Sequence, residues 1–182
     1  MDDIMLLRHI TDFIEGGEAG RFAADDALMN PPFFSTDWPR SLNYGGLGTV
    51  MGHELTHAFD HRGVDSDSDG ALHTWMDPQS QQAYRTRADC LANHYSRICY
   101  QRGNWTENIC LQGNRTNGEN MADNGGIKAA YSAYRSKAAL LGDEPPLPGP
   151  MRNFSHDQLF FIAHAQCPVG SRFNPGNPCV IW

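Results

Sequence analysis

Between Gly48 and Asp60 the chain reads Gly-Thr-Val-Met-Gly-His-Glu-Leu-Thr-His-Ala-Phe-Asp, and the run His53-Glu54-Leu55-Thr56-His57 inside it constrains the fold most. Residues four apart on an α-helix lie about one turn apart on the same face. His53 and His57 can therefore present their imidazoles to one tetrahedral zinc ion, with Glu54 projecting beside them. Two imidazoles do not complete a hydrolytic site, which takes a third protein ligand and keeps one position open for water. Zinc lowers the pKa of that water toward 7, and Glu54 is placed to accept its proton.

The segment from Gly118 to Arg135 is alanine-rich and reads as a helix continuing to about Leu141. Glu119 and Asp123, four apart, share one face of it. On its own such a pair is a solvated helix face. Beside the first motif, Glu119, 62 positions beyond His57, supplies the third ligand of a two-helix zinc site. Asp123, one turn further on, can hydrogen-bond the far nitrogen of a ligating histidine. The expectation is one Zn2+ per chain, held by His53, His57 and Glu119.

A chain of 182 residues is long enough for one sizeable core, and no break in composition divides it, so residues 1–182 are expected to form a single domain. The net charge of −7 contains no long like-charge run, which argues against nucleic acid as a partner. The run Ile4-Met5-Leu6-Leu7 is far too short for a membrane span and lacks the basic flank of a signal peptide. Asn104-Trp105-Thr106, Asn114-Arg115-Thr116 and Asn153-Phe154-Ser155 are glycosylation acceptors, and the five cysteines fit no zinc-ribbon spacing. Together they point to an oxidising, secretory history, with one thiol of the odd count left over.

Residues 2 to 15 have helical apolar spacing, closed by Gly16-Gly17. Asn30-Pro31-Pro32-Phe33-Phe34 is expected to be extended or turning and to carry two buried aromatics. Ser41 to Gly46 is expected to be a flexible approach to a helix running from Leu47 or Gly48 to His61, with Gly63 as its stop. Asp65-Ser66-Asp67-Ser68-Asp69-Gly70 copies the start of a calcium loop. Met76 stands where the bidentate glutamate belongs, so the run reads as a polar turn between short extended segments. Asp77-Pro78 opens a helix to about Tyr100, and Cys99 and Cys110 are close enough along the chain for a disulfide. Pro145 to Pro150 is a stiff linker, and Ser155-His156-Asp157-Gln158 is a capping box for a last apolar helix through Gln166.

With these segments in view the chain resembles the neprilysin and endothelin-converting-enzyme family of zinc endopeptidases. The resemblance rests on Asn43-Tyr44-Gly45-Gly46, His53-Glu54-Leu55-Thr56-His57-Ala58-Phe59-Asp60, Glu119-Asn120-Met121-Ala122-Asp123-Asn124-Gly125-Gly126 and Leu159-Phe160-Phe161. The closing Asn174-Pro175 and Cys179-Val180-Ile181-Trp182 fit it as well. It implies a mainly α (α+β), thermolysin-like catalytic lobe, truncated here, with short extended segments near the N-terminal part. It also implies zinc on His53, His57 and Glu119, Glu54 as general base and Asp123 behind a histidine. Members are membrane-anchored, glycosylated, disulfide-bonded cell-surface proteases that cut oligopeptides near hydrophobic residues. The anchor is absent from this chain. A Cys90–Cys179 pairing follows from the resemblance, as does a Cys167 whose partner belongs to a missing N-terminal lobe.

Two parts of the family pattern have no counterpart here. One is the Asn-Ala-type edge-strand segment that grips substrate, expected near Asp12-Phe13-Ile14-Glu15. The other is the Val-His-Ser-Pro-like segment, with its oxyanion-stabilising histidine and nearby arginine, expected after Gln166. His156 and His164 are the histidines downstream of Glu119, and their places in a cap and on a packing helix suit neither for that role. The resemblance thus implies a peptidase of reduced activity, and as the alternative a zinc-binding ectodomain fragment that binds or competes without turnover.

Overall fold

The computed structural model describes residues 28–67, 70–73, 75–101 and 108–166. The helix expected over residues 2 to 15 and the closing Cys-Val-Ile-Trp lie outside them. The chain is mainly helical, as expected. In order come α1 (Arg40–Asn43), a π-helical turn over Tyr44–Gly48, α2 (Thr49–His57), α3 (Pro78–Tyr95), a hairpin of β1 (Cys99–Gln101) and β2 (Asn108–Cys110), α4 (Asn117–Leu141) and α5 (His156–Ala165). The strands pair antiparallel with Cys99 opposite Cys110, and a disulfide joins those two residues. No helix among the described residues is long and apolar enough to cross a membrane.

Several elements form for reasons local to their own sequence. The Asp77 carboxylate accepts hydrogen bonds from the backbone N–H groups of Gln79 and Ser80, and Pro78 fills the first helical position of α3, where no N–H is needed. Ser155 and Gln158 cap α5 reciprocally, side chain to backbone in both directions. Of the run expected to be a polar turn, Ser68 and Asp69 lie outside the described residues; Asp67 accepts from the N–H groups of Gly70 and Ala71, and a bridge joins Ser66 to Leu72.

Other boundaries depart from the sequence expectations. The helix carrying His53 ends at His57 instead of His61, because the Asp60 carboxylate turns the chain back by accepting from the N–H groups of Arg62 and Gly63, at 2.7 and 2.8 Å. The helix after Asp77 ends at Tyr95 instead of Tyr100, where the backbone enters β1. Ser41 to Gly46 is helical and largely buried instead of flexible. A side chain at Gly45 would run into the carbonyl of Phe160, and one at Gly46 into that of Phe33. These glycines serve close packing instead of freedom of movement. Of the two aromatics expected to be buried near residue 34, Phe34 is buried and Phe33 partly so.

Two apolar clusters hold these pieces together. In one, Tyr134 of α4 stacks on Phe160 of α5 with ring centroids 5.8 Å apart, backed by Ala130, Ala138, Tyr131 and Tyr44. In the other, Phe34, Leu47 and Met51 pack with Leu28, Met29 and Phe33. Ser41, fully buried, ties α1 to α5 through a 2.9 Å hydrogen bond to His156.

A further close approach brings α2 against α4. A methyl group built on Gly126 would lie 2.5 Å from the backbone nitrogen of His53, and one on Gly52 would lie 2.7 Å from the carbonyl oxygen of Gly126. At a solvent-facing helical position, glycine-to-alanine substitution stabilises by roughly 0.5–1 kcal/mol. At this crossing the added carbon has no room, and overpacking costs about 1–3 kcal/mol. Gly126→Ala is therefore expected to lower stability in urea denaturation, and a gain in stability would refute the close crossing.

Acid dependence provides a second check. Hydrogen bonds from the Ser80 hydroxyl, the Ser80 N–H and the Gln79 N–H hold Asp77 below the usual carboxylate range. A lowered pKa gives a contribution that is present above the unfolded-state value of about 3.9 and lost as pH falls through the lower folded value. Asp77→Asn keeps a capping acceptor but does not titrate. The variant is expected to match the parent in stability at pH 7 and to lose less of it between pH 4 and pH 2, measured by denaturation at each pH.

Candidate metal centre

The glycine-to-glycine crossing lays α4 against the face of α2 that carries His53 and His57. Glu119 and Asp123, on one face of α4, come to rest beside them. The Nδ1 of His53 lies 2.8 Å from Asp123 Oδ1, and the Nδ1 of His57 lies 2.8 Å from Asp60 Oδ2. A carboxylate only accepts hydrogen bonds, so each imidazole carries its proton on Nδ1 and turns a lone pair outward at Nε2.

Those two Nε2 atoms are 3.0 Å apart. Glu119 Oε2 lies 3.3 Å from the Nε2 of His53 and 3.5 Å from that of His57. It is buried and has no hydrogen-bond partner among the described residues. Three acceptors thus converge with no donor between them, an arrangement that costs energy unless a cation occupies the centre. A tetrahedral ion bonded at 2.0–2.1 Å places its ligands about 3.3–3.4 Å apart, and the observed edges bracket that separation. Among the described residues, these three make the one group of His, Cys, Asp or Glu with ligand atoms so close together.

Burial works against protonation of His53, but its hydrogen bond to Asp123 and the charges of Asp123, Glu54 and Glu119 outweigh it and raise the imidazole above its ordinary value. The surroundings of His53 thus favour positive charge. Burial pushes Asp60 upward, and the N–H of Gly63, the His57 ring and the N–H of Arg62 overcome it, leaving the carboxyl below its usual range and firmly ionised. Burial lowers His164 on α5, against the charge of Asp123.

The residues singled out from sequence fall into two groups. His53, His57, Glu119 and Asp123 come together, with Glu54 half-buried on the same helix and its carboxylate without a hydrogen-bond partner among the described residues. His156 does not join them, being held by Ser41 and by the carbonyl of Pro145, 3.1 Å from its Nε2. Cys90 is exposed, while Cys167 and Cys179 lie outside the described residues. Asp60 was missed as a site residue. Its signal was its place three residues after His57, hidden by extending the helix through it.

Comparison with known proteins agrees with this geometry. Residues 21–172 match the family model described as Peptidase family M13. An endothelin-converting enzyme homolog of Locusta migratoria is 37% identical over 198 residues, covering 85% of this chain and 26% of that protein. Neprilysin-3 of Drosophila melanogaster is 45% identical over 140 residues, covering 76% of this chain and 17% of that protein. Among solved structures, the Mycobacterium tuberculosis zinc metalloprotease ZMP1 in complex with an inhibitor superimposes with a TM-score of 0.69 at 31% identity, over 78% of this chain and 21% of that one. The chain therefore spans about a quarter or less of the length of these relatives. Because the family match runs through most of its residues, the chain belongs to peptidase family M13.

Proposed function

We propose that this chain is a zinc-dependent endopeptidase lobe that hydrolyses oligopeptides, with one Zn2+ held by His53, His57 and Glu119. The observation that carries the reading is the triangle of lone pairs at 3.0, 3.3 and 3.5 Å, with both histidines fixed from behind by carboxylates. When bound, zinc supplies a Lewis acid that makes a water molecule nucleophilic near neutral pH.

The chain's own groups divide the remaining work. Asp123 and Asp60 hold the two imidazoles in one tautomer and one orientation, keeping Nε2 free to ligate. Glu54 directly follows a ligand on the helix and has no competing hydrogen bond among the described residues. Its carboxylate takes a proton from the attacking water and returns it to the leaving amine. The burial of His53 keeps bulk water off one side of the centre and strengthens each of these charge interactions.

A second reading, a zinc-binding ectodomain fragment that binds or competes without turnover, draws on the position of His156. It is committed to Ser41 and Pro145 and offers no donor to a developing oxyanion. Loss of one such donor costs about 10²–10³ in rate, which on the first reading makes the enzyme slow instead of inactive. The relatives lend the reading their location: neprilysin and endothelin-converting-enzyme homologues suggest a cell-surface or extracellular protein acting on peptides.

Glu54→Gln is expected to keep one zinc per chain while cutting zinc-dependent cleavage of a quenched peptide by about 10²–10⁴-fold. An unchanged rate would remove Glu54 from the mechanism. Stoichiometric zinc with no hydrolysis by the parent chain selects the second reading. Separately, Asp60→Ala and Asp123→Ala are each expected to weaken zinc binding about 10–100-fold in a chelator competition. Affinity equal to the parent's in both would show that the carboxylates do not support the ligands.

A further inference from the structure

His57 takes its orientation from a turn, so whatever fixes that turn also fixes the ligand. Asp60 receives the Nδ1–H of His57 on Oδ2 and the N–H groups of Arg62 and Gly63 on Oδ1, all within three residues along the chain. The side chain of Phe59, the residue before it, is 59% exposed and gives the turn little packing. Contacts from outside the turn hold it instead. At the start of α4, a methyl group on Gly118 would lie 3.0 Å from Asp60 Oδ2. Tyr84, on the second turn of α3 and 25 residues along the chain, donates from its hydroxyl to the carbonyl of Phe59 at 2.9 Å.

That carbonyl belongs to the planar peptide unit whose other end is the N–H of Asp60, so holding it holds the backbone from which the carboxylate projects. The N–H end is tied more loosely, to the carbonyl of His57 at 3.3 Å. Burial and the charges of Asp60 and Asp65 push the Tyr84 hydroxyl up to about 12, so at neutral pH it keeps its proton and remains a donor. The same oxygen lies 3.8 Å from Sδ of Met121, which stands between Glu119 and Asp123 on α4. Tyr84 is well placed to anchor a neighbour, because its own helix is fixed at both sides of it. Asp77 caps the start of α3, and one turn beyond Tyr84 the carbonyl of Ala88 accepts from the amide nitrogen of Asn117.

We propose that Tyr84 is a positioning residue for the metal centre, its hydroxyl setting the aim of the His57 imidazole through the Phe59–Asp60 peptide and the Asp60 carboxylate. The inference rests on the reading of His57 as a zinc ligand and extends its support from a carboxylate to a third helix. His53 takes its support from Asp123 on α4, so loss of the Tyr84 hydroxyl falls on one imidazole of the two.

The test is Tyr84→Phe, which removes the hydroxyl and keeps the ring. In the metal-free chain, NMR follows the exchange of each histidine Nδ1–H with water. The variant is expected to speed exchange at His57 about 3–10-fold, the worth of one hydrogen bond, and to leave His53 unchanged. Chelator competition is expected to show zinc held about 3–10-fold more weakly. In an Asp60→Ala background the same substitution is expected to cost no further affinity, since the route through Asp60 is already cut. An unchanged rate at His57, or a loss of affinity that adds in full to that of Asp60→Ala, would overturn the proposal. So would equal acceleration at both histidines, which is what a general loosening of the fold produces. A parent chain that binds no zinc ends the reading of the centre as a zinc site, and the exchange rates in the metal-free chain still decide the role of Tyr84.

Discussion

The rest of the structure depends on how closely two backbones can approach where α2 crosses α4. A side chain on either Gly52 or Gly126 would hold the helices apart by roughly the width of a methyl group. The atoms that meet at the centre leave no tolerance for that, because a hydrogen bond of 2.8 Å between His53 and Asp123 becomes none at all when stretched by an ångström. Gly125 extends the same contact, since a methyl there would lie 2.5 Å from a carbon of Thr56. Thr56 in turn spends its hydroxyl on the carbonyl of Gly52 at 2.7 Å, so the side facing α4 is closed to stray polar partners.

From that crossing follows an ordered chain of acids and bases. Asp60 is made a strong acceptor by two backbone N–H groups and passes its orientation to His57, as Asp123 does to His53. The arrangement uses the loop after α2 for one support and the second turn of α4 for the other. Each histidine therefore answers to a different structural element. A disturbance of the turn at Arg62 and Gly63 reaches His57 and leaves His53 in place, whereas a shift of α4 moves Asp123 and Glu119 together.

What could be read from sequence was what is decided locally. The spacing of His53 and His57, the shared face of Glu119 and Asp123, the Asp77 cap and the Ser155–Gln158 box all depend on neighbours within four residues, and each formed as read. The misreadings involve partners far along the chain or a side chain competing with backbone. Gly45 and Gly46 resemble a hinge until Phe160 and Phe33 press against them from 115 and 13 residues away. The end of α2 resembles any helical continuation until the Asp60 carboxylate claims the next two N–H groups.

This division between local and distant also separates binding a metal from using it. All the groups that converge on the centre come from α2, α4 and the turn between them and α3, and their mutual positions are set by contacts inside the described residues. Substrate, by contrast, has to be gripped along its backbone and relieved of charge at its carbonyl oxygen, and those tasks need donors carried by other elements. The two properties therefore answer to different contacts: affinity for a metal at this centre depends on the helix crossing and the carboxylates behind the histidines, while turnover depends on what is arranged around them.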